Sequence, residues 1–329
     1  MALGKKNKKV TRLFFATDIH GSERTYRKFL NAGKFYEANV IVMGGDISGK
    51  LMIPIIEEGK GHHRATLQGT VHQVETEEEL KQLQDRIGLL GFYSQIMTED
   101  QYRHLADQPA EVSALFHKLA RERLSNWIDL AESRLSGTGI KCFVTGGNDD
   151  DPEVLDVMQG AGRESFFACE GQVVSIDEAH SMASVGFSNP TPWKTPREIP
   201  DEELGTLIEG MCAQVRDFSR CIFNFHVPPL DSTLDSCPKL DWSTDPPTPI
   251  VSAGQIVFAG AGSQAVRTAI ETHQPMLGLH GHIHEAQGVV RLGKTTCINP
   301  GSEYGEGVLR GCLVSVCDGN VEGYQMTRG

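Results

Sequence analysis

The sequence predicts an α/β fold, and three observations carry that expectation. Apolar runs of strand length alternate with helical patterns along the 329 residues. Several runs are apolar almost throughout, as in strands covered on both faces of a sheet. Five polar clusters, Asp18-Ile19-His20, Gly45-Asp46, Gly147-Asn148-Asp149, His226 and His280-Gly281-His282-Ile283-His284, each follow such a run.

The elements follow in order. Leu13-Phe14-Phe15-Ala16-Thr17 and Val40-Ile41-Val42-Met43 read as strands, with a helix over residues 24–31 between them. This β-α-β unit turns Asp18 and Asp46 toward one sheet edge, where ligands sit in open α/β sheets. Lys141-Cys142-Phe143-Val144-Thr145 ends in Gly146-Gly147-Asn148, and Cys221-Ile222-Phe223-Asn224-Phe225 ends in His226, where Pro228 and Pro229 forbid continuation. Met276-Leu277-Gly278-Leu279 runs into the triple-histidine turn.

Residues 50–140 interrupt this rhythm. A hairpin is expected over residues 61–74 with Gly69 in its turn, then capping boxes Thr76/Glu79 and Thr98/Gln101 opening helices. Leu115, Leu119, Leu124, Trp127, Ala131 and Leu135 mark one or two long amphipathic helices. The segment is expected to pack on the sheet core without folding alone, an insertion within a single domain over residues 1–329. Asp201, ahead of Leu204, Leu207, Ile208 and Met211, reads as a helix N-cap.

Composition narrows the class. A hydrophobic content of 39% supports a large core, and a net charge of −12 argues against electrostatic gripping of nucleic acid or anionic lipid. The dense basic run, residues 4–9, reads as a solvated tail. Neither a signal-peptide core nor a membrane-spanning run is found, so a cytoplasmic protein is expected. Eight cysteines without CxxC pairs fit reduced, buried thiols.

The clusters have the chemistry of a metal site. Carboxylate, carboxamide and imidazole together suit ions such as Mn²⁺ and Fe²⁺, whereas thiolate-rich sets suit structural zinc. Asp18 and His20 can turn to one ion, Asp46 has two oxygens with which to bridge, and His282 and His284 can reach different ions across the tight turn at Gly281. Gly146 and Gly147 give the backbone freedom to bring Asn148 close.

In this order the residues resemble the calcineurin-like metallophosphoesterase superfamily, with its series DxH, GD, GN, a lone His and GHxH, over the chain from Asp18 to His284. Ile298-Asn299-Pro300-Gly301-Ser302 is similar to the turn that commonly follows GHxH. The resemblance implies a four-layer α/β/β/α sandwich of two mixed sheets with a dinuclear centre of Mn²⁺ or Fe²⁺, or else Zn²⁺, on one edge. It implies that Asp18, His20 and His284 hold the first ion, that Asn148, His226 and His282 hold the second, and that Asp46 bridges them. Such a pair neutralises a phosphate, lowers the pKa of a bridging water and stabilises an in-line displacement. A hydrolase of phosphate esters by metal-activated hydroxide follows, acting on a small substrate and needing no protein nucleophile.

One position departs from the pattern. Where many members have His after the GN pair, this chain has Asp149, which as an anion cannot donate a proton; it can orient a neighbouring group, repel a dianionic monoester or point away. A phosphodiesterase is therefore expected. Lys50 is a candidate phosphate contact, and Arg197 belongs to a proline-stiffened segment, residues 186–197, that reads as a lid or substrate wall or as a surface crossover with Trp193 packed beneath. The alternative is a weakly catalytic scaffold on the same fold. A nuclease has less support, since no basic groove is visible. The sequence leaves open the substrate, the native metal and whether the chain pairs with itself.

Overall fold

The computed structural model describes residues 9–160 and 163–329. The basic run therefore lies, apart from Lys9, outside the described residues. The predicted β-α-β unit is β1 (Thr11–Ala16), α1 (Glu23–Phe35) and β2 (Val40–Gly44), with β1 and β2 paired in parallel.

The insertion comprises β3 (Met52–Gly59), β4 (His62–Leu67), β5 (Thr70–Val74), α2 (Glu77–Leu89), β6 (Tyr93–Thr98), α3 (Glu99–Ala106) and α4 (Pro109–Leu135). The expected hairpin is β4 with β5, and both capping boxes form. Two further strands complete a sheet of order β5-β4-β3-β6. Pro54 masks β3 in the sequence, because proline is tolerated only where a strand lacks a neighbour on one side. That condition holds here: β4 pairs with β3 only from Ile55 onward, and Pro54 lies opposite Gln95 of β6 alone. The insertion has an apolar cluster of Ile55, Ala65, Leu67, Val74, Leu83 and Ile87. Helix α4 instead joins the main core through Leu124, Trp127, Ile128 and Ala131.

The chain continues through β7 (Lys141–Thr145), α5 (Pro152–Leu155), β8 (Phe166–Ala168), β9 (Val173–Ser175), β10 (Ser181–Val185), α6 (Asp201–Cys212) and β11 (Cys221–Phe225). An arm of short paired strands follows, β12 (Ser236–Pro238) with β17 (Phe258–Gly260), β13 (Leu240–Asp241) with β14 (Thr248–Pro249), and β15 (Val251–Ser252) with β16 (Gln255–Ile256). The last elements are α7 (Gln264–His273), β18 (Leu277–Leu279), β19 (Gly288–Leu292), β20 (Thr295–Asn299), β21 (Arg310–Cys317) and β22 (Asn320–Arg328).

Two six-stranded mixed sheets dominate, ordered β22-β21-β1-β2-β7-β8 and β19-β20-β18-β11-β10-β9. Period-two alternation sorts each strand's residues. Leu13, Phe15, Val40, Val42 and Phe143 from the first sheet share one cluster with Met182, Ile222, Leu277 and Ile298 from the second. Phe14, Ala16, Ile41 and Met43 face α1 and α4, while Ala183, Val185, Phe223 and Cys297 face α6 and α7. Both faces of the central strands are thus apolar, which explains the continuous runs. Seven of the eight cysteines are buried and all are unbridged. Among the described residues no helix is long and apolar enough to cross a membrane.

Asp201 is not an N-cap. Pro200 holds that place on α6, and the Asp201 carboxylate accepts from Ser263 Oγ at 2.5 Å and Ala265 N–H at 3.0 Å, so it serves the start of α7. A carboxylate beside one helix start can satisfy another when the two helices pack side by side, and sequence spacing does not disclose this.

Candidate metal centre

The site forms where strands of both sheets end. Beyond β1 and β2 the chain stays zipped by backbone hydrogen bonds, Asp18 N to Gly45 O at 2.9 Å and His20 N to Asp46 O at 2.9 Å. Asp18, His20, Asp46 and His282 have φ of 54°, 38°, 50° and 66°, a left-handed backbone that non-glycine residues seldom adopt. Four such residues in one place indicate strain concentrated at a functional site. Two glycines allow the close approach: a Cβ on Gly147 would collide with the Asp46 carboxylate, and one on Gly281 with Asp18 and Thr17.

All seven sequence-predicted ligand candidates converge. Asp18, His20 and His284 each present an atom to one point, and Asp46, His226 and His282 to a second. His284 Nε2 lies 3.3 Å from Asp18 Oδ1 and 3.1 Å from His20 Nε2. Asn148 Oδ1 lies 3.1 Å from His226 Nε2 and 2.7 Å from His282 Nδ1. Asp46 stands between the groups, with Oδ2 3.6 Å from His20 and Oδ1 3.4 Å from His226. These acidic and imidazole clusters could hold metal ions. The donor set fits that use: His20 Nδ1 is buried without a hydrogen-bond partner, and two imidazole nitrogens face each other among carboxylates.

Supporting contacts orient the donors, as in metal sites generally. His226 Nδ1 donates to Gly44 O at 2.9 Å, which turns Nε2 inward. Asp18 accepts from His282 N–H, and Ser302 Oγ donates to the Asp18 carbonyl at 2.6 Å. Asn299 Nδ2 reaches the carbonyls of Gly281 and Ile283 at 3.2 and 3.0 Å, so the Asn299-Pro300-Gly301 turn braces the histidine loop. Buried His280 turns its Nδ1 to Phe225 O at 2.8 Å and belongs to neither triad.

Charge is tightly balanced. Burial opposes ionisation of Asp18, but hydrogen bonding to His284 and the His226 charge win and hold it at about 2. Burial likewise opposes charge on His226, yet Asp46 and Asp18 raise it to about 9. Burial brings His282 down to about 4, helped by the His226 charge.

The softer candidates divide: Asp149 and Lys50 stand beside the cluster, and Arg197 does not. Asp149 pairs with Lys50 Nζ at 2.5 Å, and its Oδ2 lies 3.6 Å from His20 Nδ1. Burial and the Asp46 charge push Asp149 up to about 6, against the pull of Lys50. Lys50 thus stands at the rim, its side chain 44% exposed. Arg197, expected on a substrate wall, is buried instead, ion-paired with Glu170 and donating to Gly147 O at 3.1 Å. It braces the glycine turn from below, and its isolated cationic character in the sequence gave no hint of Glu170. Trp193 is not packed beneath its loop but is 67% exposed.

Three residues escaped sequence reasoning. Buried Asp150 accepts from Ile47, Ser48 and Gly147 N–H at 3.1, 2.7 and 2.7 Å. Thr195 accepts from Asn148 Nδ2 at 2.8 Å, aiming the carboxamide oxygen at the histidines. Tyr304 places its ring 4.7 Å from that of His20. The Asp149-Asp150-Asp151 run was a signal for the first; nothing local marks the other two.

No protein-family model matches the chain. It is 26% identical over 156 residues to an uncharacterized protein of Methanocaldococcus jannaschii, a match spanning 47% of this chain and 61% of that one. A solved structure aligns over 98% of this chain and 99% of its own with 14% identity and a TM-score of 0.55, which shows a shared α/β fold. TT1561 of Thermus thermophilus aligns over 94% of this chain and 100% of its own with 13% identity and a TM-score of 0.48. A structure described as a novel archaeal phosphodiesterase aligns over 97% of this chain and 100% of its own, at 9% identity and a TM-score of only 0.31.

Proposed function

We propose that this protein is a phosphoesterase dependent on two divalent ions, acting preferentially on phosphodiesters, with its two sheets and flanking helices arranged as a four-layer α/β/β/α sandwich. The supporting observation is the pair of triads, Asp18/His20/His284 and Asp46/His226/His282, each with two buried members and a half-buried histidine, with Asp46 reaching toward both. Asn148 completes the second set through its carboxamide oxygen. Two ions held there would supply phosphate neutralisation and an activated water nucleophile. The chain's own part is to fix the geometry. Asp150, Thr195, Asn299 and Arg197 hold the ligand loops, and the Lys50–Asp149 pair forms one wall.

That pair explains the substrate preference. Lys50 offers a cation to a phosphate oxygen, but Asp149 balances it, so the second negative charge of a monoester gains little there. The purified protein with Mn²⁺ should hydrolyse bis(p-nitrophenyl) phosphate and turn over an alkyl monoester more slowly. Asp46→Ala should lower kcat/KM by about 100-fold or more, since even partners outside the ligand set commonly cost 10- to 100-fold. Equal turnover of monoester and diester would remove the preference. Activity untouched by Asp46→Ala would place it in a contaminant, and an inactive metal-loaded protein would favour the scaffold alternative.

A further inference from the structure

We infer that Trp193 and Trp242 form a subsite for a planar aromatic ring beside the metal-ligand cluster, so that the preferred ester carries a nucleobase or an aryl group. The position of the phosphate rests on the phosphoesterase reading; binding of the ring does not.

The chain has three tryptophans, and only Trp127 is buried in the core. Trp193 and Trp242 are 67% and 48% exposed, yet they meet with ring centroids 6.0 Å apart and planes at 72°. Two indoles at that angle make a corner: a flat ring can stack on one face and set its edge against the other. They come from segments 49 residues apart; the arm bearing Trp242 lies between β11 and α7, and its first strand, β12, starts at Ser236, ten residues after His226.

Trp193 is held by the loop that also holds Asn148. Arg197 N–H donates to Asn148 O at 3.1 Å and Asn148 Nδ2 to Thr195 Oγ1 at 2.8 Å, so the loop and the ligand turn are stapled twice. Glu198 closes the loop by accepting from Thr191 N–H at 2.9 Å and from Thr195 N–H and Oγ at 2.9 and 2.8 Å. Trp193 N–H is itself fixed on Thr191 Oγ1 at 3.1 Å. Only Lys194 stands between Trp193 and Thr195, which limits their separation to about 7 Å of chain. An indole kept in water by an ordered loop, two residues from the hydroxyl that orients the Asn148 carboxamide, is placed for a ring joined to a phosphate bound at the cluster. Stacking of a base on an aromatic side chain is tolerant of base identity, so the corner suits any planar ring.

The test uses the full chain loaded with Mn²⁺, titrated calorimetrically with adenosine 5′-monophosphate, phenyl phosphate and ribose 5-phosphate. At least one ring-bearing probe should bind roughly 10- to 100-fold more tightly than ribose 5-phosphate. The adenosine and phenyl arms distinguish a nucleobase site from a general aryl site. Trp193→Ala and Trp242→Ala should each abolish most of that advantage while leaving ribose 5-phosphate binding unchanged, and Trp193→Phe should retain it. Equal binding of all three probes by the wild type, or an advantage intact in both alanine variants, would overturn the subsite. So would a shift in sedimentation on Trp193→Ala without any ring preference, which would make the corner a protein contact. Ring preference without hydrolysis of any ester would sink the phosphoesterase reading and leave the subsite standing; hydrolysis without ring preference would do the reverse.

Discussion

Under the proposed function, protonation of His226 would report on metal uptake. With Asp46 and Asp18 against it, the metal-free imidazole carries its proton up to about pH 9. A metal ligand must be neutral, so uptake near neutral pH has to expel that proton. Calorimetry in buffers of different ionisation enthalpy should therefore show about one proton released from this group, and affinity should weaken by up to about tenfold per unit as pH falls below about 9. Buffer-independent heats would contradict the assignment. Asp150 presents the opposite case, a carboxylate whose task is to satisfy three buried N–H groups. Asp150→Ala leaves all three unpaired and should destabilise the fold by about 3 kcal/mol or more in urea denaturation. Metal-site geometry should suffer with it, because Gly147 N–H and the Asp46 loop hang on the same side chain.

Among the elements, those built from local signals were legible and those built from distant partners were not. The strands ending in Asp18, Asp46, Asn148 and His226 appear within a residue or two of their expected bounds, because burial on both faces forces unbroken apolar runs. That the candidates each lie just past a strand was legible for the same reason; that the ends of the two sheets meet was not, because sheet-on-sheet packing leaves no local signal. Strand β3 was hidden by Pro54 and β6 by Ser94 and Gln95, whose neighbours are decided by the sheet they join. Arg197 was misjudged because its partner, Glu170, is remote in sequence. Asp201 belongs with these: its true role is on α7, and Asp201→Ala should cost about 1 kcal/mol while leaving α6 intact, seen as faster amide exchange at the start of α7 rather than of α6.

For the whole molecule, the ligand candidates are divided between the two sheets. Asp18, Asp46 and Asn148 follow strands of the first, and His226, His282 and His284 follow strands of the second. Ions bound among them would clasp the two sheets at one edge and stabilise only the folded form. Mn²⁺ at about 100 times its dissociation constant should add about 2.7 kcal/mol, read as a rise in the unfolding midpoint that EDTA reverses. Protection against amide exchange should increase at the ends of β1, β2, β11 and β18 more than in the insertion.

Strand β1, which leads into Asp18 and His20, has β2 on one side and β21 on the other, so its second neighbour is supplied by residues 310–317. Contacts spanning roughly 300 positions carry a large loop-closure cost and are expected to form late. During synthesis the Phe14–Phe15 edge must wait beside nascent structure with half its backbone groups unmatched, a situation that invites association between unfinished chains. Loss of the closing hairpin would thus be felt first as insolubility, and Asp18 and His20, though retained, would follow a strand with nothing at its flank.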